Sequence, residues 1–174
     1  MLSAEDAADL YLLLGRYGVR CWIVGGWGVD ALLHRQTRAH KDLDVLIARA
    51  DLVKVDRLFA DRGFVRTLVW PEENRWIEVD GDRWPTAFVV ADEQGRELDI
   101  HVVDIGPSGD VTALWDLPWR FGARFLDAHG RIGQTTVACA SVEAQLQMHT
   151  GYPLPAAHAR DVELLTTRAP DRED

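Results

Sequence analysis

A Gly-Gly pair and a D-x-D pair lie close together in the stretch VGGWGVDALLHRQTRAHKDLDV, which constrains the fold more than any other part of the chain. Residues 21–24 are apolar and predict a short strand, while residues 27–34 have helical spacing. Asp42 and Asp44 lie two apart at the start of another apolar run, so on a strand both carboxylates point to the same face. The stretch therefore predicts a strand, a helix and a second strand that carries paired carboxylates.

The paired carboxylates predict a bound cation, because Asp42 and Asp44 repel one another unless a cation lies between them. Magnesium is the natural ion, since it commonly binds one or two carboxylates together with substrate phosphates. A glycine backbone lets N–H groups approach a ligand, and a phosphate at the start of the next helix would also meet the positive end of its dipole. We therefore expect a nucleotide site in which Gly25, Gly26 and Trp27 bind phosphate and the aspartates bind magnesium.

A third aspartate lies in the apolar run ELDIHVVDI, where Asp99 and His101 share one face of a predicted strand. If this strand neighbours the D-x-D strand, Asp99 joins Asp42 and Asp44 at the metal. One carboxylate of such a set can take the proton from an acceptor hydroxyl. Two alternatives stay open: Asp99 is an exposed edge-strand residue, or Asp104 is the base because the register differs.

The segment HRQTRAHK connects the predicted helix to the D-x-D pair, close to where a triphosphate would bind. Arg38 is the predicted phosphate contact, because a planar guanidinium holds two oxygens and stays charged. His40 either positions a phosphate or braces the segment, and both interpretations remain open. Arg35 and Lys41 are expected to be solvated.

Three tryptophans, Trp70, Trp76 and Trp84, are interspersed with acidic residues in one polar stretch. Aromatic faces with carboxylates between them suit a sugar ring that carries an amine. Together with Asp104, these tryptophans are the predicted acceptor contacts. The alternative is that they cover an otherwise exposed sheet.

The remaining patterns predict the other elements of the chain. Ser3 is an N-cap signal for a helix through Arg16, and Asp51 is one for a helix that ends at Gly63. Strands are predicted at residues 64–69, 87–91, 97–105, 121–126 and 135–138, a loop or hairpin at 71–85, helices at 141–150 and 158–167, and a frayed tail at 168–174. A hydrogen-bonded cluster is expected to dock the last helices through His149, Tyr152, His158 and Asp161.

Charge and composition exclude several classes of protein. With 19 Lys and Arg against 28 Asp and Glu, the formal net charge is −9, which repels the phosphate backbone of nucleic acid. The negative charge either attracts a cationic small acceptor or only keeps the protein soluble. No signal-peptide pattern or membrane-length apolar run appears, so a soluble cytoplasmic protein without a membrane partner is expected. Cys21 and Cys139 lie in apolar contexts and are expected to be buried, reduced thiols.

Several motifs, taken in order, resemble those of small lincosamide nucleotidyltransferases. The motifs are GGWGVDALL, TRAHKDLDV, LDIH and EAQLQMHTGY, followed by H-x-x-D. The aminoglycoside 2''-nucleotidyltransferases are relatives, and both belong to the superfamily that has the fold of DNA polymerase beta. The resemblance covers most of the chain but not residues 68–84. It implies an α+β fold with a mixed, mostly antiparallel sheet and helices on one face, in which residues 1–140 form the core and residues 141–174 a small helical extension.

The resemblance also implies an activity, namely transfer of AMP from ATP to a hydroxyl of a lincosamide or aminoglycoside. It implies two magnesium ions, and it places Asp99 at the third acidic position of the family. A monomer or homodimer is expected. The alternatives are a non-catalytic, antitoxin-like nucleotide-binding protein and an adenylyltransferase that acts on a protein or an endogenous metabolite.

Overall fold

The computed structural model describes residues 1–115 and 120–167 as an α+β protein. Its five described helices are α1 (Ala4–Arg16), α2 (Gly25–Leu33), α3 (Leu52–Arg62), α4 (Val142–Met148) and α5 (Ala156–Thr167). The strands are β1 (Cys21–Ile23), β2 (Leu43–Ala48), β3 (Val65–Val69), β4 (Trp76–Val79), β5 (Asp82–Pro85), β6 (Ala87–Ala91), β7 (Glu97–Ile105), β8 (Val111–Ala113), β9 (Arg120–Phe121), β10 (Ala128–Ile132) and β11 (Thr135–Cys139). Within the described ranges, no helix is both long enough and apolar enough to cross a membrane.

The main sheet has nine strands in the order β10-β11-β1-β2-β7-β6-β3, and β8 and β9 continue it beside the end of β7. Strands β1 and β11 are parallel, as are β2 and β7, and the other pairings in this sheet are antiparallel. Strands β4 and β5 form a separate hairpin. The predicted fold, a mixed and mostly antiparallel sheet with helices, is confirmed.

The main core lies between one face of the sheet and helices α1, α2 and α3. Because side chains alternate along a strand, every second residue of β2 and β7 points into this core. Helix α1 begins where the Ser3 side chain accepts a hydrogen bond from the Asp6 N–H, and its apolar side packs on the sheet. The buried members of the core include Leu10, Leu14, Trp27, Leu43, Val45, Ile47, Leu58, Leu98, Ile100 and Val102.

The opposite face of the sheet carries the polar residues of β2 and β7 together with a smaller apolar cluster. Asp44 and Asp99 lie on this face. The cluster comes from the ends of the strands, the segment after β9 and helix α4, and consists of Val24, Leu46, Val103, Val111, Ala113, Phe121, Phe125, Ala140 and Ala144. The sequence therefore builds a sheet with one apolar face and one face divided between apolar cover and carboxylates.

Three predicted boundaries are wrong. The strand predicted at 121–126 is only the two-residue β9, because the chain turns after Gly122 and the ring of Phe125 stacks on Phe121 at 3.8 Å. Helix α2 begins at Gly25 rather than at Trp27, and α5 begins at Ala156. Strands β4 and β5 confirm the hairpin that was one of the two predictions for residues 71–85. The tail at 168–174 lies outside the described residues.

Both cysteines are buried and form no disulfide, as predicted. Burial raises the pKa of the Cys21 thiol to about 12. A thiol in such an environment stays protonated and behaves as a small apolar side chain.

Candidate active site

Two carboxylates lie side by side on neighbouring strands at the centre of the sheet. Strands β2 and β7 are parallel and in register, which pairs Asp44 with Asp99. Asp42 lies just before β2, and its charge acts on both of the other carboxylates. The predicted neighbourhood of the D-x-D strand and the third aspartate is therefore present.

Burial and mutual repulsion disfavour the ionised form of Asp44. Burial, followed by the charges of Asp42 and Asp99, raises the pKa of Asp44 from its ordinary value of 3.8 to about 7. Burial also raises the pKa of Asp99, although the charge of His101 and a hydrogen bond from Trp70 oppose that rise. Such carboxylates gain most from a cation that neutralises them.

The donor set fits magnesium that is shared with a substrate. Within residues 1–115 and 120–167, no three His, Cys, Asp or Glu side chains stand close enough to form a complete metal cage. Magnesium does not need one, because it usually binds through one or two carboxylates and takes its other ligands from phosphates and water. The hard oxygen donors of Asp42, Asp44 and Asp99 match that preference.

The start of helix α2 is packed directly against Asp44. Gly25 has a φ of +59°, and a Cβ at this position would lie 2.2 Å from Oδ2 of Asp44. The Gly28 N–H donates to the Val24 carbonyl, so the N–H groups that precede it have no partner within the helix. Gly25 therefore allows the positive end of α2 and the carboxylate of Asp44 to share one small space.

The second glycine makes room for side chains of the protein itself. A Cβ on Gly26 would lie 2.4 Å from Nδ1 of His40 and 2.5 Å from Nη2 of Arg38. Both side chains thus lie over the first turn of α2. A valine at position 26 would displace them, in addition to blocking the approach of a phosphate.

Arg38 lies beside the first turn of α2, as a phosphate contact would, but it is already engaged by Asp161 of α5. Its Nη2 donates to Oδ2 of Asp161 at 2.8 Å, and its Nε donates to Oδ1 at 3.3 Å. The Asp161 side chain is 1% exposed and that of Arg38 is 30% exposed. The guanidinium therefore holds α5 in place while the Arg38 side chain remains partly exposed.

His40 braces this region from the inside. Its ring lies 4.5 Å from the Trp27 ring, and Arg38 Nη1 donates to its Nδ1 at 3.0 Å. Because arginine can only donate, Nδ1 is the acceptor and the Nε2–H donates to Oδ2 of Asp30 at 2.5 Å. His40 and Trp27 are 4% and 1% exposed, so the bracing interpretation of His40 fits the structure, and only the backbone of Trp27 can meet a phosphate.

Only one of the four predicted acceptor contacts reaches the carboxylates. The indole Nε1–H of Trp70 donates to Oδ1 and Oδ2 of Asp99 at 3.0 and 3.2 Å. Trp84 is buried in the main core, whereas Trp76 is exposed on the β4–β5 hairpin and lies against the Arg83 guanidinium.

Asp104 points to the face of β7 opposite Asp99 and forms an ion pair with Arg49 at 2.8 Å. It is therefore not brought to the site.

His101 is the main site residue to which the strand alternation assigns a face but no role. Its Nδ1 lies 3.6 Å from Oδ1 of Asp99, and its Nε2 lies 3.2 Å from Oε2 of Glu73. Burial lowers the pKa of His101, but the Glu73 hydrogen bond and the charges of Asp99 and Asp44 outweigh burial and raise it. The Trp115 ring meets the imidazole edge-on at 4.9 Å. The alternation in ELDIHVVDI was the available signal for this residue.

The predicted helix-docking cluster at the C-terminal helices is confirmed. The Tyr152 hydroxyl and Nδ1 of His158 are 3.0 Å apart, and Nδ1 of His149 donates to the Gln145 carbonyl at 2.7 Å. Tyr152 is partly exposed, and its pKa is raised by burial and then by the charge of Glu73. The charge of Glu73, which bonds His101, therefore reaches this cluster.

Comparison with known proteins identifies the family and the fold of this chain. A family model described as aminoglycoside-2''-adenylyltransferase matches residues 7–165. A lincosamide resistance protein from Staphylococcus haemolyticus is 26% identical over 155 residues, which is 84% of each chain. The lincomycin-bound crystal structure of the lincosamide adenylyltransferase LnuA has a TM-score of 0.76 at 24% identity and covers 95% of this chain and 98% of that one. The crystal structure of ANT(2'')-Ia with adenylyl-2''-tobramycin has a TM-score of 0.67 at 19% identity, with coverages of 94% and 87%.

Proposed function

The chain belongs to the aminoglycoside-2''-adenylyltransferase family of antibiotic nucleotidyltransferases, and from this premise we propose that it transfers AMP from ATP to a hydroxyl group of a lincosamide. One observation of the structure carries the proposal: Asp44 and Asp99 lie in register beside the open start of α2. A phosphate-binding helix start next to a repelling carboxylate pair suits a metal-bound triphosphate.

Asp42, Asp44 and Asp99 are the residues that would hold magnesium, with two ions expected. Bound magnesium would neutralise the carboxylates and the triphosphate and stabilise charge on the attacking and departing oxygens. The backbone N–H groups of Gly25 and Gly26 would bind phosphate oxygens. The partly exposed Arg38 side chain adds a permanent positive charge for the same triphosphate.

Asp99 is the residue that we assign as the base. Its carboxylate accepts the proton of the acceptor hydroxyl as that oxygen forms a bond to the α-phosphorus of ATP. The bond from the α-phosphorus to the bridging oxygen breaks, and pyrophosphate leaves with its electron pair. Asp104 is not the base in this proposal, because it faces away from Asp44 and is paired with Arg49.

The acceptor would bind where aromatic and acidic groups surround the carboxylate pair. Trp70 contacts Asp99, Trp115 and Glu73 contact His101, and the charge of Glu73 reaches Tyr152. Aromatic faces favour contact with a sugar ring, and a carboxylate favours a basic amine. A lincosamide is placed before an aminoglycoside because the lincosamide resistance protein is 26% identical to this chain, and because the LnuA structure has a TM-score of 0.76 against 0.67 for ANT(2'')-Ia.

The partly buried Asp44 supports catalysis over the non-catalytic alternative, because burial and the charges of Asp42 and Asp99 raise its pKa, and carboxylates with such raised pKa values are concentrated at active sites. An adenylyltransferase that acts on a protein or metabolite would use the same groups. Mass spectrometry of lincomycin, tobramycin and cell extract, each incubated with the protein, magnesium and one nucleoside triphosphate, separates these functions. We expect adenylylated lincomycin with ATP. Modification of proteins or metabolites alone would overturn the assignment to an antibiotic.

A further inference from the structure

The indole of Trp70 makes a two-centre contact with the proposed base. Its Nε1–H lies 3.0 and 3.2 Å from the two oxygens of Asp99, whose residue is 6% exposed. An indole N–H can only donate, so this contact is made with acceptor lone pairs of the carboxylate. A donor shared between both oxygens restrains the direction in which the carboxylate points.

The backbone holds Trp70 firmly beside the strand that neighbours β7. Its N–H donates to the Ala87 carbonyl at 3.1 Å, and its carbonyl accepts from the Asn74 N–H at 2.9 Å. The Asn74 side chain in turn accepts from the Thr86 N–H at 2.8 Å. These bonds tie the turn formed by residues 70–74 to the start of β6, so the indole approaches Asp99 from a fixed position.

The same turn also fixes the second polar residue of β7. Glu73 holds Nε2 of His101 at 3.2 Å, and the other ring nitrogen faces Asp99 at 3.6 Å. One turn thus supplies a separate partner to each polar side chain at the reacting end of β7. Neither partner belongs to the strands that carry the aspartates.

We propose that Trp70 is a positioning residue for adenylyl transfer, which holds the Asp99 carboxylate in the orientation that receives the acceptor proton. This inference rests on the proposed function. Hydrogen-bonding partners of a reactive group commonly change activity by ten- to a hundred-fold when they are removed, because the group then samples unproductive orientations. The contact with Trp70 therefore belongs to the chemical step rather than to ATP binding.

Two substitutions separate the donor from the ring. Trp70→Phe keeps an aromatic ring and removes the N–H, whereas Trp70→His keeps a ring N–H at nearly the same distance from Cβ. Trp22→Phe is the matched control, since Trp22 is a half-buried tryptophan of β1 that packs in the smaller apolar cluster. We expect the single-turnover transfer rate to fall by roughly ten- to a hundred-fold in Trp70→Phe with little change in the KM for ATP, and Trp70→His to recover most of it.

A second measurement does not require activity. The chain has 7 tryptophans, and Trp70→Phe identifies the indole N–H resonance of Trp70 in a ¹H–¹⁵N spectrum. We expect Asp99→Asn to shift that resonance and leave the Trp22 resonance in place, because an amide is a weaker acceptor than a carboxylate. An unmoved Trp70 resonance would show that the contact is absent in solution and overturn the inference.

The two proposals fail in different ways. If the wild-type protein transfers AMP to no acceptor, the proposed function is overturned and the role of Trp70 in transfer falls with it. If the wild type is active and folded Trp70→Phe transfers at the same rate, only the role of Trp70 is overturned. Equal losses in Trp70→Phe and Trp70→His would assign the effect to ring packing rather than to the N–H, which also contradicts the inference.

Discussion

Asp44 and Asp99 occupy paired positions on the parallel strands β2 and β7, so their carboxylates project from the same face of the sheet. The pairing is electrostatically unfavourable in the protein alone, because burial and neighbouring carboxylates raise the pKa of Asp44 to about 7. A site that is unfavourable without its cation is expected where the cation arrives with the substrate. Stability, metal affinity and catalysis should therefore all depend on this pair.

Asp44→Asn is expected to stabilise the fold while it abolishes transfer. The pKa of Asp44 is raised from 3.8 to about 7 on folding, so its favourable contribution is complete below pH 3.8 and is lost as the pH rises through about 7. At pH 8 the substitution should therefore raise the free energy of unfolding by roughly 1–3 kcal/mol, and this gain should vanish in acid. Denaturant unfolding at pH 8 and at an acidic pH measures this gain in stability.

Asp104→Asn is the control, because Asp104 lies in a partly exposed ion pair. A loss of stability at pH 8 in Asp44→Asn would contradict repulsion between the carboxylates.

The affinity for magnesium should depend on pH in the direction set by Asp44. A proton and the metal compete for this carboxylate, so the affinity of the protein for magnesium should rise as the pH increases from 6 to 8. Below about pH 7 we expect the affinity to weaken by up to about tenfold per pH unit. Calorimetric titration at several pH values is the measurement. An affinity that does not change over this range, or one that Asp44→Asn retains, would exclude Asp44 as a ligand.

Gly25→Ala should damage both the fold and the site. A Cβ at Gly25 would lie 2.2 Å from the Asp44 carboxylate, and the φ of +59° strains any other residue. Gly95→Ala is the matched control, because Gly95 also has a positive φ, of +75°, but a Cβ there meets no atom within 4 Å. We expect Gly95→Ala to lose about 1 kcal/mol and keep its activity, whereas Gly25→Ala loses more stability and its transfer activity. Equal effects in the two variants would mean that the contact with Asp44 is unimportant.

The Arg38–Asp161 pair should stabilise the docking of helix α5. Asp161→Ala removes the buried member of the pair and leaves the partly exposed Arg38 without its carboxylate, so it should lower the free energy of unfolding by roughly 1–3 kcal/mol. Glu163→Ala is the control, because Glu163 forms an exposed pair with Arg160 and should change stability by less than about 0.5 kcal/mol. Thermal or denaturant unfolding distinguishes them. If Arg38→Gln, Asp161→Ala and the double variant show strictly additive effects, the two side chains are not coupled.

Asp99→Asn should affect the chemical step more than ATP binding. An amide cannot accept the hydroxyl proton, and loss of a general base typically costs 10²- to 10⁴-fold in rate, so the single-turnover rate should fall by roughly that factor. Asp104→Asn should stay close to the wild type, since Asp104 faces the other side of β7 and pairs with Arg49. Normal transfer by Asp99→Asn together with an inactive Asp104→Asn would move the base to Asp104.

Local patterns predict much of this site because its carboxylates lie on strands with simple alternation. The alternation around Asp44 and Asp99 predicts their shared face, and the structure pairs the two residues on neighbouring strands. Asp42 lies before β2, so the strand spacing does not fix the direction of its side chain. Contacts between distant segments leave no such pattern. Asp161 is 123 residues from Arg38, and Trp70 is 29 residues from Asp99. Residue spacing alone therefore could not predict either contact.

The most direct test follows the label from ATP that carries a radioactive α-phosphorus, in the presence of lincomycin or tobramycin and magnesium. We expect the wild-type protein to transfer the label to lincomycin and release unlabelled pyrophosphate. Asp44→Asn, and the wild type in the presence of a chelator, should transfer none, while Asp104→Asn should behave like the wild type. Labelled antibiotic formed at the wild-type rate by Asp44→Asn, or in the presence of the chelator, would contradict a metal-dependent transfer at the Asp44–Asp99 pair.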